Sequence, residues 1–175
     1  MDLRLDTLRL ASQSSTLGCE YTVRPAVAED NTFLYDLIRT TMRQHVEATW
    51  GTWDEEWQHN RFTERFKPKQ WQIILESGRA IGGVCIDSYT TKLFLANLHL
   101  LPDWQRRGIG TAVVTWVLEQ ASARGFATVR LNVLRSNNSA RRFYERLGFH
   151  VDAEDAQRYW LSYEVPADVG PTHSI

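Results

Sequence analysis

The chain has 175 residues, 43% of them hydrophobic, with 20 Lys and Arg against 21 Asp and Glu for a formal charge of -1. That length buries one core and not two ordinary ones, and the near-neutral balance excludes the global basic field by which proteins hold nucleic acid through its phosphates. No stretch is long and apolar enough to cross a bilayer, and Cys19 and Cys85 stand far apart with no C-x-x-C spacing, so no membrane partner, disulfide framework or metal site is expected and the cytoplasm is the simplest setting.

Residues 1–20 alternate Leu with Asp and Arg and then run through a Ser-rich stretch, which reads as a mobile N-terminal extension and lacks the continuous apolar segment of a signal peptide. Tyr21 to Pro25 is expected as the first strand, followed by a helix with Asp30 as N-cap and Leu34, Leu37, Ile38 and Met42 at helical spacing. Gly51 breaks that helix, and Thr52 with Glu55 forms the capping-box pair of a second helix reaching Phe66. Lys67-Pro68-Lys69 ends it. Trp71 to Glu76, Ile81 to Tyr89 and Leu93 to Leu101 then read as three strands of an antiparallel meander, the first turn falling at Ser77-Gly78.

After Pro102 comes Gln105-Arg106-Arg107-Gly108-Ile109-Gly110, then a helix with Val113, Val114, Val117, Leu118 and Ala121 on one face, ended by Gly125. Ala127 to Leu134 is a strand and Asn137 to Leu147 a helix with Gly148 as its C′ residue. Phe149 to Ala153 and Tyr159 to Val165 are closing strands, and residues 166–175 form a frayed tail. The order β-α-α-β-β-β-α-β-α-β-β makes one mixed α/β domain over 21–165, with about seven strands and about four helices.

Gln105 to Gly110 places a glycine-containing loop between a strand and a helix start, where orphan backbone N–H groups and the positive end of the helix dipole converge. Such a place accepts an anion, and a pyrophosphate suits it because glycine lets the backbone come close. Ile109 and Thr111 contribute backbone donors there, and Arg106 and Arg107 add charge at the rim. Taken alone, a G-x-G at a turn before a helix is more often plain turn chemistry. A dinucleotide fold would want G-x-G-x-x-G after its first strand, and a P-loop would end in G-K-[S/T]; neither is present.

The second motif is Asn137-Asn138-Ser139-Ala140-Arg141-Arg142-Phe143-Tyr144-Glu145-Arg146-Leu147-Gly148-Phe149, directly after the strand containing Val129-Arg130-Leu131-Asn132-Val133. Together the two resemble the GNAT superfamily of N-acetyltransferases. Its pattern Q/R-x-x-G-x-G/A, a strand, then N-x-x-A-x-x-x-Y-x-x-x-G-F is matched at Gln105, Gly108, Gly110, Asn137, Ala140, Tyr144, Gly148 and Phe149.

This resemblance implies a largely antiparallel sheet splayed between its fourth and fifth strands, with acetyl-CoA as co-substrate and its pantetheine arm lying in the gap. Backbone groups of Leu98 and Leu100 would meet that arm, and the Leu100 N–H would face the thioester carbonyl, where a preset donor to the tetrahedral oxyanion contributes roughly 3–4 kcal/mol. Tyr144 resembles the family's general acid toward the departing thiol, and Asn137 and Ala140 complete the cofactor set. A core aromatic at helical spacing is the plainer role for Tyr144, and helix capping the plainer one for Asn137.

The resemblance also implies an amine as acceptor, which attacks only in its neutral form. A lysine-like amine with pKa about 10.4 is neutral roughly one time in two thousand at pH 7, so a base helps. Glu47 and His45 are the candidate bases, against the plainer reading of a solvated helix face. Trp50, Trp53, Asn97 and His99 are the expected acceptor wall, with Tyr159 beside them. With Asp54, Glu55 and Glu56 the Trp50–Trp53 turn reads as an acidic, aromatic surface suited to a cation. The plainer reading prevails for those three carboxylates, which fill the first turn of a helix, where the dipole favours them. Where some relatives carry a strand carboxylate this chain has Phe94, and neither cysteine sits in a nucleophile motif. Homodimers are common among relatives, so a second copy is a candidate partner. The alternative is a non-catalytic acyl-CoA sensor of the same fold.

Overall fold

A computed structural model of the chain describes residues 9–10 and 21–166. The rest of the N-terminal extension, Cys19, and the tail after Pro166 lie outside the described residues. Eight strands form one sheet: β1 (Arg9–Leu10), β2 (Tyr21–Pro25), β3 (Trp71–Glu76), β4 (Arg79–Ser88), β5 (Lys92–Leu100), β6 (Thr128–Leu134), β7 (His150–Glu154) and β8 (Arg158–Glu164). The helices are α1 (Asn31–Trp50), α2 (Glu55–Arg65), α3 (Ile109–Ala123) and α4 (Asn138–Arg146). This is the expected order preceded by one short edge strand.

The spatial order is β1-β2-β3-β4-β5-β6-β8-β7, antiparallel everywhere except between β5 and β6. The α3 crossover forces that exception, since a strand that returns after a helix re-enters in the same direction. Helices α3 and α4 cover one face over Val113, Val117, Val129 and Leu161. Helix α1, with Phe62 and Phe66 at the end of α2, covers the other over Ile73, Trp71 and Cys85. Leu34 and Leu37 of α1 are fully buried there. The approach is close enough that a Cβ on Gly83 of β4 would stand 2.5 Å from Leu34 Cδ2.

The feature that positions the site is a β-bulge in β5. Cys85 faces Asn97 and Ile86 faces Leu95, so Ala96 has no partner of its own on β4. A bulge bends and overtwists its strand, and pairing between β5 and β6 stops at Phe94 opposite Arg130, just before it. Beyond that point the two strands diverge.

Two helix starts differ from expectation. Asp30 occupies the N-cap of α1 but makes no side-chain cap; its carboxylate instead takes the Arg24 guanidinium at 2.7 and 2.8 Å and the Val27 N–H at 2.8 Å. Asp54, not Thr52, caps α2, accepting from Trp57 N–H at 2.9 Å. Glu55 is drawn away from a capping box because Tyr35 Oη and Trp53 Nε1 both donate to it, at 2.6 and 2.9 Å.

Candidate active site

Between the diverging strands and under α1 lies a cavity of about 620 Å³. Its floor is Leu95 to His99 of β5 and Leu131 to Leu134 of β6; Asn137, Ala140 and Tyr144 close one side, and Trp50, Trp53 and Trp57 the other. The roof is the α1 stripe Ile38, Met42, Val46 and Trp50, one position per helical turn. Two hydroxyls brace that roof: Ser136 Oγ donates to the His45 carbonyl at 3.0 Å and lies 3.1 Å from Thr49 Oγ1. They tie the last turns of α1 to the loop after β6.

The floor offers backbone donors. Leu101 N–H donates to the Ile81 carbonyl at 2.9 Å, and Leu100 faces Gly82. Antiparallel ladders alternate, so the N–H groups of Leu100 and Leu98 point away from β4, into the gap beyond which β6 has diverged. The Leu100 carbonyl on the same edge is already taken by Gln105 Nε2 at 2.9 Å. Gln105 therefore uses its side chain to fasten the end of β5, and only its backbone faces the loop. Leu100 is nearly buried at 9% exposure and Leu98 packs on the same cluster.

At the far end of β5 the loop meets α3. Arg106 has φ 59° and Gly108, the N-cap of α3, has φ 81°. Gly108 supplies no side-chain cap, and the first intrahelical bond is Ala112 N–H to the Gly108 carbonyl. The N–H groups of Ile109, Gly110 and Thr111 are thus left as unsatisfied donors. Helix α4 contrasts with it, because Asn137 Oδ1 caps the Ala140 N–H at 3.1 Å. Asn137 thus caps α4 with its oxygen and also lines the cavity. Arg107 lies over the Trp104 ring, 5.8 Å from its centroid.

Tyr144 is 8% exposed, lines the cavity and packs edge-on against Phe143 and Phe149. Its hydroxyl has no hydrogen-bond partner among the described residues, and burial raises its pKa above the ordinary tyrosine value. It is therefore a protonated phenol that faces the cavity. On the other face of β5, His99 lies between Thr41 Oγ1 at 2.9 Å from Nδ1 and Asn97 Oδ1 at 3.2 Å from Nε2. Burial lowers the pKa of His99 to about 4, so the ring is neutral near pH 7.

The structure does not bring Glu47 or His45 to the cavity. Glu47 pairs with Arg43 at 2.8 Å along the outer side of α1, and His45 turns toward Gln44. The acid half of the expected acidic, aromatic surface is likewise committed elsewhere, Asp54 to the α2 cap and Glu55 to Tyr35, Trp53 and Arg39. Tyr159 stacks with Arg135 and Arg141, 4.6 and 4.3 Å from its centroid, and Phe94 stacks on Trp160. Burial pushes the Cys85 thiol up to about 12, which removes it as a nucleophile near neutral pH. Among the described residues no group of three His, Cys, Asp or Glu could hold a metal ion, and no helix is long and apolar enough to cross a membrane. Two cavity residues have no signal in the sequence: Arg61 and Arg158.

A family model described as the acetyltransferase (GNAT) family matches residues 32–149. An uncharacterized N-acetyltransferase of Methanocaldococcus jannaschii is 29% identical over 154 residues, covering 81% of this chain and 65% of that protein. A ribosomal protein bS18-alanine N-acetyltransferase of Escherichia coli is 39% identical over 71 residues, 41% of this chain and 45% of that protein. The chain thus spans between about half and two thirds of the length of these relatives. Among solved structures, the paia N-acetyltransferase of Thermoplasma acidophilum in complex with coenzyme A superposes with TM-score 0.69 at 19% identity, covering 82% of this chain and 98% of that one.

Proposed function

The chain belongs to the acetyltransferase (GNAT) family, and from that premise we propose that it transfers the acetyl group of acetyl-CoA directly to a primary amine. The observation that carries this reading is the opening between β5 and β6: a strand edge whose Leu98 and Leu100 N–H groups are, among the described residues, unpaired, running from an uncapped helix start to a buried tyrosine hydroxyl likewise without a partner there. Unpaired backbone donors in a buried cleft are costly unless a ligand meets them.

The residues fit the co-substrate. The N–H groups of Ile109, Gly110 and Thr111, with Arg106 and Arg107 beside them, suit a pyrophosphate. Leu98 and Leu100 suit an amide-bearing arm laid along the strand. Acetyl-CoA supplies an activated thioester. The Leu100 N–H is a fixed donor for the oxygen that gains charge as the amine attacks, and Tyr144 holds a proton at Oη for the departing sulfur. Asn97, His99, Trp50 and Trp53 form the acceptor wall. His99, neutral and hydrogen-bonded on both nitrogens, positions rather than deprotonates.

The same reading takes residues 21–165 as the single catalytic domain and sets it in the cytoplasm, with no nucleic-acid or membrane partner, because of the near-neutral charge and the two thiols without a pairing motif. Calorimetric titration with acetyl-CoA, combined with coenzyme A release in the presence of an amine and peptide panel, tests it. Binding with amine-dependent release is the expected result. Binding without release from any amine would leave a sensor of acyl-CoA, and no binding would overturn the proposal.

A further inference from the structure

The acceptor end of the cavity carries two arginines that have no carboxylate to answer. Six other arginines, Arg24, Arg39, Arg43, Arg130, Arg135 and Arg141, each have an acidic partner within 4 Å. Arg61 of α2 and Arg158 at the start of β8 have none among the described residues, yet both line the cavity. Each guanidinium lies over a tryptophan of the same wall: Arg61 over Trp57, 4.9 Å from its centroid, and Arg158 over Trp50, 5.5 Å from its centroid. Stacking leaves the in-plane N–H donors of a guanidinium free.

The neighbouring acids are held by other groups, and the nearest in sequence to Arg158, Asp155, has its pKa lowered first by the Gln157 and Arg158 backbone N–H groups and last by the Arg158 charge. Asp54 lines the cavity with its carboxylate capping α2, Glu55 is held by Tyr35, Trp53 and Arg39, and Asp155 accepts the backbone N–H groups of Gln157 and Arg158. The pair is mutually unfavourable: desolvation first, then the positive charges of Arg65 and Arg158, lower the pKa of Arg61. Two like charges held on one aromatic wall, facing a cavity, are stabilised by a ligand of opposite sign.

Resting on the acetyl-transfer reading, we infer that the acceptor is an amine that also carries a carboxylate, held by Arg61 and Arg158 while Trp50, Trp57, Met42 and Val46 cover its apolar part. A cavity of about 620 Å³ admits an amino acid or the first residues of a peptide. The carboxylate sets the register of the chain, so the amine reaches Asn97 and His99 on the floor. The attraction between cation wall and anion also raises capture at low salt and fades as salt screens it.

Matched acceptors test this: phenylalanine against phenylalaninamide, and the dipeptide aspartyl-phenylalaninamide against asparaginyl-phenylalaninamide, each followed by coenzyme A release from acetyl-CoA. At least one acid member is expected to exceed its neutral twin by tenfold or more in kcat/KM. The pair that responds tells whether the carboxylate is that of a free amino acid or of a peptide side chain. In Arg61→Gln and Arg158→Gln that ratio should fall to within about threefold, and Arg158→Glu should invert it, in variants whose circular dichroism matches the parent. A second readout needs no turnover: calorimetry of N-acetyl-phenylalanine, N-acetyl-aspartyl-phenylalaninamide and their neutral twins in the presence of coenzyme A. Binding of the acids alone, lost in both arginine variants, would support the anion site even if no amine were acetylated, which would sink the transfer reading instead. Amine turnover indifferent to the carboxylate in every pair would overturn this inference and leave transfer standing.

Discussion

Gln105 donates its side-chain amide to the carbonyl of Leu100 at 2.9 Å, so the first residue of the loop before α3 also fastens the last residue of β5. The loop proposed to take the pyrophosphate and the N–H proposed to meet the oxyanion are thereby held in one register. Gln105→Leu removes a single part-buried hydrogen bond, an expected loss of about 1 kcal/mol in stability. The larger effect is expected in kcat, because the Leu100 N–H loses its fixed direction. Thermal unfolding and steady-state kinetics on the same preparation check this, and a kcat unchanged beside an altered melting point would show that the clamp serves the fold alone.

Tyr144→Phe deletes a hydroxyl with no partner among the described residues, so stability is expected to hold within about 0.5 kcal/mol. Loss of a general acid typically costs about a hundredfold or more in rate, and that drop in kcat is expected here. Because burial raises the phenol's pKa, the rate of the parent enzyme should show no decline from tyrosine ionisation up to pH 10. A decline centred below 10 that vanished in the variant would count against the assignment.

Gly108 adopts φ 81° and Gly110 lies where an added Cβ would meet Phe143 Cζ at 3.3 Å. Gly108→Ala is expected to cost about 1 kcal/mol through the left-handed backbone. Gly110→Val presses on Phe143 and displaces the N–H donors of α3, so coenzyme A affinity should fall by tenfold or more. Calorimetry with coenzyme A measures this directly, and equal affinity in the valine variant would remove the phosphate from this loop.

Between pH 6.5 and 4 the fold is expected to lose stability through His99. Its folded pKa of about 4 lies below the unfolded value near 6.5, so the unfolded chain binds the extra proton first. The contribution is complete above pH 6.5 and is lost as pH falls to 4, on the order of 3 kcal/mol at most. Urea unfolding of the parent and of His99→Gln across that window provides the check: the variant should show the shallower slope, and parallel slopes would assign the acid sensitivity elsewhere.

Thr49→Val releases one strut between α1 and the loop after β6, and Ser136→Ala releases both. A loss of about 1 kcal/mol is expected for the serine, with the acceptor KM rising as the roof loosens and the acetyl-CoA KM little changed. Equal rises in both would place the strut nearer the co-substrate.

Most strands and helices were legible because period and punctuation agree: Tyr21–Pro25 and Trp71–Glu76 stand where alternation and Ser77-Gly78 put them. The two glycine motifs were legible because their spacing reports backbone conformation. The acceptor end was not. Glu47 and His45 read as bases because they are polar residues near a junction, yet the stripe that meets the cavity is Ile38, Met42, Val46 and Trp50, and both polar residues flank it. Glu55 fits a capping box by spacing, but partners 16 and 20 residues away claim it. Arg61 and Arg158, 97 positions apart in number, meet only once β8 lies beside the end of β6.

Ala96 gives β5 a counting problem. With one unpaired residue, Leu95 and Leu98 fall on the same face, and the wall formed by Asn97 and His99 exists only because the strand's second half is out of step with its first. Replacing Ala96 alters one side chain. Deleting it would restore regular pairing, leaving Asn97 opposite Cys85 and Leu98 opposite Val84 on their present faces, and would remove the bend that parts β5 from β6. Selection can therefore retune this wall letter by letter, whereas the opening beside it rests on the one residue of the strand's middle that β4 leaves unpaired.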